Sequence, residues 1–317
     1  MIRPSLAPNN KITIVEDRSD NTIGAFSSTV REDRINGQLR HSHYGFDINM
    51  LEKFRNGGMA MTIFEKMIRG FLEKDGSLCY GSSLKTAANV VNRKMDQIGV
   101  RHYCDQHQHA WAVDFPVPLE AVPNNVQLKI WEEEDKALTK KRWDDYFKDW
   151  NFVPNNFNEI LEYNKKYCYK TYMARLERDG HVSEASISVW NQDLIFTLSS
   201  QMPATMHRVQ SHRQIFSCYT YGDDKDFLFN YLLRYVHNKQ YQEGVEFLFI
   251  GLSELDPINR YVPLLRGIQS LTFSFIVGAK AKEDYESLWS VASKVPVYND
   301  PRDYGVLMLI KEFVSSL

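Results

Sequence analysis

The sequence is poor in cysteine: four residues (Cys79, Cys104, Cys168, Cys218) lie far apart among 317, with no Cys-x-x-Cys pair. That spacing excludes a dense disulfide framework and fits free thiols in a reducing compartment. No apolar run reaches the roughly 18 residues that a membrane helix needs. The opening "MIRPSLAPNN" also lacks the apolar core of a signal peptide. An excess of one charge is missing too, with 38 Lys and Arg against 40 Asp and Glu and a formal net charge of -2. Without a basic surplus or a Lys/Arg run there is no polyanion footprint, so nucleic acid is not an expected partner. No Gly-Lys-Ser/Thr follows a glycine turn, and no Ser/His/Asp or Cys/His nucleophile signature stands out. The expectation is a soluble cytoplasmic protein with no membrane partner.

What is present is a substantial core. With 43% hydrophobic residues the chain can bury enough surface for two domains rather than one. From Lys11 the pattern alternates as strands, in "KITIV", "TIGAFSSTV" and "YGFDINM", with turn-prone "DRSDN" and "DRINGQ" between them. The period then changes. Ile63, Phe64, Met67, Ile68, Phe71 and Leu72 recur at helical spacing and form one apolar stripe ended by "KDG". "SLCYGSS" reads as a strand, "TAANVVNRKMDQIG" as a helix closed by Gly99, and "VRHYCDQHQHAWAVDF" as one long strand or two.

"FPVPLEAVPNN" carries three prolines and marks a boundary, because proline donates no backbone hydrogen bond and does not continue regular structure. Beyond it come a strand "VQLKIW", helices in "DKALTKKRWDDYFKDW" and "NFNEILEYNKKY", and a meander of "KTYMARLERDG", "SEASISVWN" and "RQIFSCYTYG". A helix "DKDFLFNYLLRYVHNKQ", a strand "GVEFLFIGL", a short helix from Ile258 to Gly267 and strands "LTFSFIVGA" and "YGVLMLI" follow. The order of elements repeats that of the first part, which suggests duplication of one domain with a period near 150 residues. The expected fold is α+β with a mixed sheet, in two tandem copies at 1–118 and 119–317. The first copy looks truncated at its N-terminus, which raises the expectation of a homodimer that completes it in trans.

"MLEKFRNGGMAMTIFEKMIRGFLEK" joins the alternating segment to the helical one. A strand that stops at glycines leading into a helix leaves backbone N–H groups pointing one way, and the helix dipole adds partial positive charge. Phosphate binds such a site. Gly57 and Gly58 let a pyrophosphate approach the main chain, Ala60 keeps the first turn narrow, and Arg55 offers a charged contact. A plain turn needs glycine as well, so the anion grip and the structural turn both stand at this point.

"RNGGMA" resembles the Q/R-x-x-G-x-G/A signature of the GNAT superfamily of N-acetyltransferases, with Arg55, Gly58 and Ala60 at its three defining places. "MLEKFR" before it is similar to the family's approach to the motif, and "RKMDQIGV" resembles the ending of its helix after strand five. The resemblance implies that main-chain N–H groups of Asn56, Gly57, Gly58, Met59 and Ala60 hold the pyrophosphate of acetyl-CoA. It also implies that Ile48 and Met50 pair with the pantetheine arm in a gap between this strand and the one at Ser77 to Ser83. The chemistry it implies is direct attack of an amine, on a small molecule or a peptide, on the thioester, without a covalent enzyme intermediate.

The sequence departs from the pattern in several places. Met95 stands where the family's general-acid tyrosine is usual, and Tyr80 replaces it only if its hydroxyl faces the cleft. The asparagine that often opens that helix falls at Ala88 or Asn89 according to register. Asp47 and Glu52 are candidate bases, with His41 and His43 just upstream; a solvated strand surface or an exposed turn is the plainer explanation of each. In the second copy the glycine turn reads "YTYGDDKDFLF", and Asp223, Asp224 and Asp226 favour the helix but repel pyrophosphate. His107 and His109 share a strand face, but four ligands of suitable spacing are not met, and no metal is expected. Trp143, Phe147 and Trp150 recur at helical spacing as core. The alternative to an N-acetyltransferase is a catalytically inactive member that binds CoA or serves as a regulatory or interaction module.

Overall fold

The computed structural model describes residues 9–55, 58–74, 78–85, 96–156, 169–193, 198–202, 205–209 and 211–301. The first half opens with a meander of β1 (Lys11–Glu16), β2 (Thr22–Ile35) and β3 (Gln38–Met50), each antiparallel to the next. A short helix α1 (Glu52–Arg55) and the longer α2 (Met59–Lys74) lead to β4 (Leu78–Leu84), which runs parallel to β3. β5 (Val100–Ala112) is one long strand, preceded by a single 3-10 turn at Asp96–Ile98. The rest of the expected helix before it, and with it Ala88, Asn89 and Met95, lies outside the described residues.

The second half contains β6 (Gln127–Glu133), α3 (Lys136–Tyr146), the short β7 (Val153–Pro154), β8 (Tyr169–Arg178) and β9 (His181–Asn191). A separate hairpin of β10 (Leu198–Met202) and β11 (Thr205–Val209) then precedes β12 (His212–Tyr221) and α4 (Lys225–Gln242). β13 (Phe247–Ser253) is parallel to β12, and a 3-10 helix (Pro257–Leu264), β14 (Gly267–Ala279) and α5 (Lys282–Val291) follow. The hairpin, β7 and α5 were not anticipated. The expected short helix is a 3-10 segment with Pro263 inside it, and β14 begins four residues earlier than its apolar run, at Gly267. The strand expected in "YGVLMLI" and most of the helix in "NFNEILEYNKKY" lie outside the described residues.

One sheet runs through both halves in the order β1-β2-β3-β4-β14-β5-β13-β12-β9-β8-β6, with β7 on β2. The two closing strands are exchanged: β14 lies between β4 and β5, while β5 lies between β14 and β13. The central β5–β14 ladder runs antiparallel from Trp111 opposite Gly267 to Val100 opposite Gly278.

The helices pack accordingly. On one face of the sheet, Met67, Ile68 and Leu72 of α2 meet Cys79 and Val100, together with Ile276 from the exchanged β14. This buries the apolar stripe read from the sequence. Leu228, Phe229, Leu232, Leu233 and Val236 of α4 pack on Ile187, Val189, Ile215, Leu248 and Ile250, and Trp111 of β5 joins them from the other half. The expected aromatic set is core, with Trp143 fully buried beside Phe147 and Trp150, but the helix ends at Tyr146, and Phe147 and Trp150 lie just beyond α3. Among the described residues no helix is long and apolar enough to cross a membrane.

Candidate functional site

The parallel ladder of β3 and β4 contains two pairs, His43 with Cys79 and Tyr44 with Tyr80, and ends there. At the next step the chains still touch, since a Cβ on Gly81 would come within 2.9 Å of the Gly45 carbonyl oxygen. Beyond that point β3 bulges. Ala25 faces Asn49 but Ser27 faces Phe46, so Asp47 and Ile48 together oppose the single residue Phe26. An extra residue on one strand bends it and increases its twist, which carries β3 away from β4. β3 ends at Met50, buried against Gly24, while Ile48 is exposed.

The chain then turns. Leu51 N–H reaches the Ile23 carbonyl at 3.0 Å, α1 makes one turn, and Gly58 adopts φ +79°, a left-handed conformation that costs other residues. The Gly58 carbonyl accepts the N–H of Thr62 at 3.0 Å and its hydroxyl at 3.1 Å. The N–H groups of Met59, Ala60 and Met61 precede the first intrahelical bond and point out of the helix end. No acidic side chain occupies this first turn. The start of α2, which follows the end of β3, therefore carries the positive end of the helix dipole with no acidic residue in its first turn.

Of the predicted residues, Asp47 and Ile48 fall on the bulge, Met50 ends the strand, and Glu52 is exposed at the start of α1. Arg55 ends α1, and Gly58, Met59 and Ala60 form the helix entry. Asn56, Gly57 and Asn89 lie outside the described residues. His41 is exposed and 3.6 Å from Glu32, whereas His43 stacks on Phe71 of α2 with ring centres 5.0 Å apart.

Tyr80 points to the sheet face opposite α2, into a buried polar cluster that sequence reasoning missed. Its hydroxyl donates to Asp33 at 2.7 Å, Ser42 donates to the same carboxylate oxygen at 2.6 Å, and Arg31 lies 3.5 Å from the Tyr80 oxygen. Arg31 also stands 4.4 Å above the Tyr44 ring and 3.8 Å from Asp300. Burial pushes the Asp33 carboxyl above the usual range, against the pull of Arg31 and the two hydroxyls. The one signal in the sequence was Arg31 and Asp33 at strand spacing, which reads equally well as a solvated edge.

The second half repeats this geometry with the opposite charge. The β12–β13 ladder ends at Ile215 opposite Ile250, and β12 bulges at Phe216, since Ile215 faces Val189 and Ser217 faces Ser188. Gly222 adopts φ +98° before α4. Here the helix entry is acidic: Asp223 lies 3.3 Å from His181, Asp224 lies 3.0 Å from Arg178, and Asp226 pairs with Arg260 and accepts from Tyr261. An acidic helix entry of this kind disfavours a phosphate.

His107 and His109 share a face of β5, with ring centres 6.1 Å apart. His107 bonds Thr272 at 3.2 Å, and burial lowers the His109 pKa to about 4.

No family model matches the chain, and no curated protein does. Among solved structures, N-myristoyltransferase from Saccharomyces cerevisiae, with bound myristoyl-CoA, aligns with a TM-score of 0.52 at 10% identity, over 82% of this chain and 67% of its own. A GCN5-related N-acetyltransferase from Anabaena variabilis aligns with a TM-score of 0.45 at 8% identity, over 84% of this chain and 62% of its own. One from Kribbella flavida aligns with a TM-score of 0.42 at 8% identity, over 87% and 60%. The chain thus spans 62% and 60% of the length of the latter two. The chain shares the mixed α/β fold of the N-myristoyltransferase structure.

Proposed function

We propose that the chain is an acyl-CoA-dependent N-acetyltransferase built from two copies of one domain, 1–118 and 119–317, with acetyl-CoA held by the first. The observation that carries this reading is the parting of β3 and β4 after Tyr44 and Tyr80, directly ahead of a left-handed glycine and a helix entry free of acid. In this reading the N–H groups from Asn56 to Ala60 hold the pyrophosphate, and the β3 edge at Ile48 and Met50 pairs with the pantetheine arm. The amine of a small-molecule or peptide acceptor attacks the thioester carbonyl; Asp47 or Glu52 removes its proton, and the thiolate leaves and is protonated. Acidic residues at the second helix entry disfavour a second cofactor there. The N-myristoyltransferase complex, whose fold the chain shares, holds an acyl-CoA.

One observation favours the second reading, a non-catalytic CoA-binding module. The Tyr80 hydroxyl is buried and committed to Asp33, so it is turned away from the role of proton donor. Isothermal titration with acetyl-CoA tests the cofactor site: saturable binding is expected, and no binding to a folded sample overturns it. CoA release across a broad amine panel then separates turnover from binding alone.

A further inference from the structure

Just past the end of the β12–β13 ladder lies a cavity of about 20 Å³ whose lining includes Phe147, Ser217, Gly251, Asp256, Tyr298 and Asn299. The chain from Val297 to Asp300 is buried, and Asn299 is seated against Gly251 so closely that a Cβ there would come within 2.6 Å of its Nδ2. Asn299 is only 7% exposed, and neither its Oδ1 nor its Nδ2 has a hydrogen-bond partner. Ser217, 4% exposed, has an unpartnered Oγ on the same lining. Buried polar atoms are almost always satisfied, so two such side chains facing one cavity point to a ligand that satisfies them.

The charge of that ligand follows from its surroundings. Asp256 is half-buried at the cavity, and one of its carboxylate oxygens accepts the Ile258 N–H at 2.8 Å. At the helix entry beside the parted strands Arg178 and Arg260 are taken up by Asp224 and Asp226, so the carboxylate of Asp256 is the charge that faces the cavity. The volume exceeds the ~10–15 Å³ that a single water requires, and is far too small for a pantetheine arm. Aromatic walls at Phe147 and Tyr298 tolerate a cation.

We propose that the parted strands of the second half bind a primary ammonium group, with the Asp256 carboxylate, the Ser217 hydroxyl and the Asn299 carbonyl oxygen accepting its N–H bonds. Burial raises the Asp256 carboxyl from 3.8 to about 7, and a neighbouring cation is what holds such a group ionised at neutral pH. The proposal stands whether or not the first half transfers an acyl group. It assigns the second half a ligand of its own, opposite in charge to the one proposed for the first.

Isothermal titration of the full chain with n-butylamine hydrochloride tests this, with tetramethylammonium chloride at matched ionic strength as the control. Saturable binding of butylamine with a Kd of about 1 mM or tighter is expected. None is expected for the quaternary ion, which has no N–H. Asp256→Asn preserves the shape and the bond to Ile258 and should weaken butylamine by about tenfold or more, as should Ser217→Ala. Melting curves show whether each variant is folded; should Asp256→Asn fail, Ser217→Ala decides. Nα-acetyl-lysinamide, titrated in parallel, separates a lysine side chain from a free small amine as the source of the ammonium group. Failure of butylamine to saturate the wild type, equal binding of tetramethylammonium, or unchanged affinity in a folded variant overturns the proposal.

Discussion

At Gly58 the demands of backbone and ligand coincide. With φ at +79° the residue occupies a region where a Cβ clashes, and its N–H lies at the mouth of the proposed anion grip. Gly58→Val should cost about 1–2 kcal/mol of stability through that strain. It should also weaken acetyl-CoA by at least about tenfold, because the side chain would stand where the pyrophosphate approaches. Denaturant titration and calorimetric binding measure the two effects separately, and affinity that survives in the folded variant places the pyrophosphate elsewhere. Arg55→Ala should do less, since main-chain donors carry most of the contact. Asp256 gives a second test at this scale. Its carboxyl is raised from 3.8 to about 7, so the folded chain holds that proton more tightly than the unfolded one. Its contribution is fully present below 3.8 and is lost as pH rises through about 7. The titratable groups that feel Asp256 are Tyr146 on α3 and Cys218 on β12, with Arg260 and Tyr261 of the 3-10 helix acting on the same Tyr146 and Asp226 of α4 acting on Tyr261. The urea midpoint of the wild type, measured without amine, should therefore fall relative to that of Asp256→Asn between about pH 4 and pH 7, and the difference should level off above that. A constant difference would contradict the assignment.

Among the elements, local patterns carried most of the information. The stripe on α2, the meander and the aromatic spacing of α3 rest on periodicity within one segment, and each was legible for that reason. The helix entry at Gly58 was legible too, since glycine at a strand-to-helix turn is a local requirement. The buried cluster of Arg31, Asp33, Ser42 and Tyr80 was not, because three strands must come into register before those side chains meet. α5 carries an apolar set at helical spacing in Tyr285, Leu288 and Trp289, which was readable but short. The bulge on β3 has no residue-type signature of its own, since Asp47 and Ile48 look like ordinary alternation. The point where β3 and β4 part does leave a trace, in paired glycines. A Cβ at Gly81 would meet the Gly45 carbonyl oxygen at 2.9 Å, so Gly81→Ala must push the two strands apart where their ladder ends. We expect a loss of about 1–3 kcal/mol by denaturant unfolding, the range for overpacking a tight contact. An unchanged midpoint would mean that the strands can yield there at no cost.

Over the whole molecule, the exchange of closing strands was invisible in the sequence. A repeat of element order suggests two similar units, but alternation within a strand does not say which neighbours it pairs with, so the places of β5 and β14 could not be read from it. The consequence is mechanical coupling. β14 supplies Ile276 to the core under α2, and β5 supplies Trp111 to the core under α4, whose indole N–H donates to the Val262 carbonyl at 3.2 Å. Neither half keeps its full sheet when the other unfolds. The segment between the halves is held as well, with Val117 bonded in both directions to Asn238 at 2.8 and 2.9 Å and Arg234 bonded to the Pro118 carbonyl at 3.0 Å. Chains of this length often unfold in steps, domain by domain. Here the exchanged strands should force one cooperative transition, seen as coincident denaturant curves from tryptophan fluorescence and far-UV dichroism. A protease site inserted at the exposed Asn124–Asn125 turn sharpens the test. After cleavage the two fragments should co-elute as one particle and separate only in denaturant, because β5 is bonded on one edge to β13 and on the other to β14. Fragments that part under native conditions, or two separated transitions in the intact chain, would mean that the halves fold as independent domains joined by a linker.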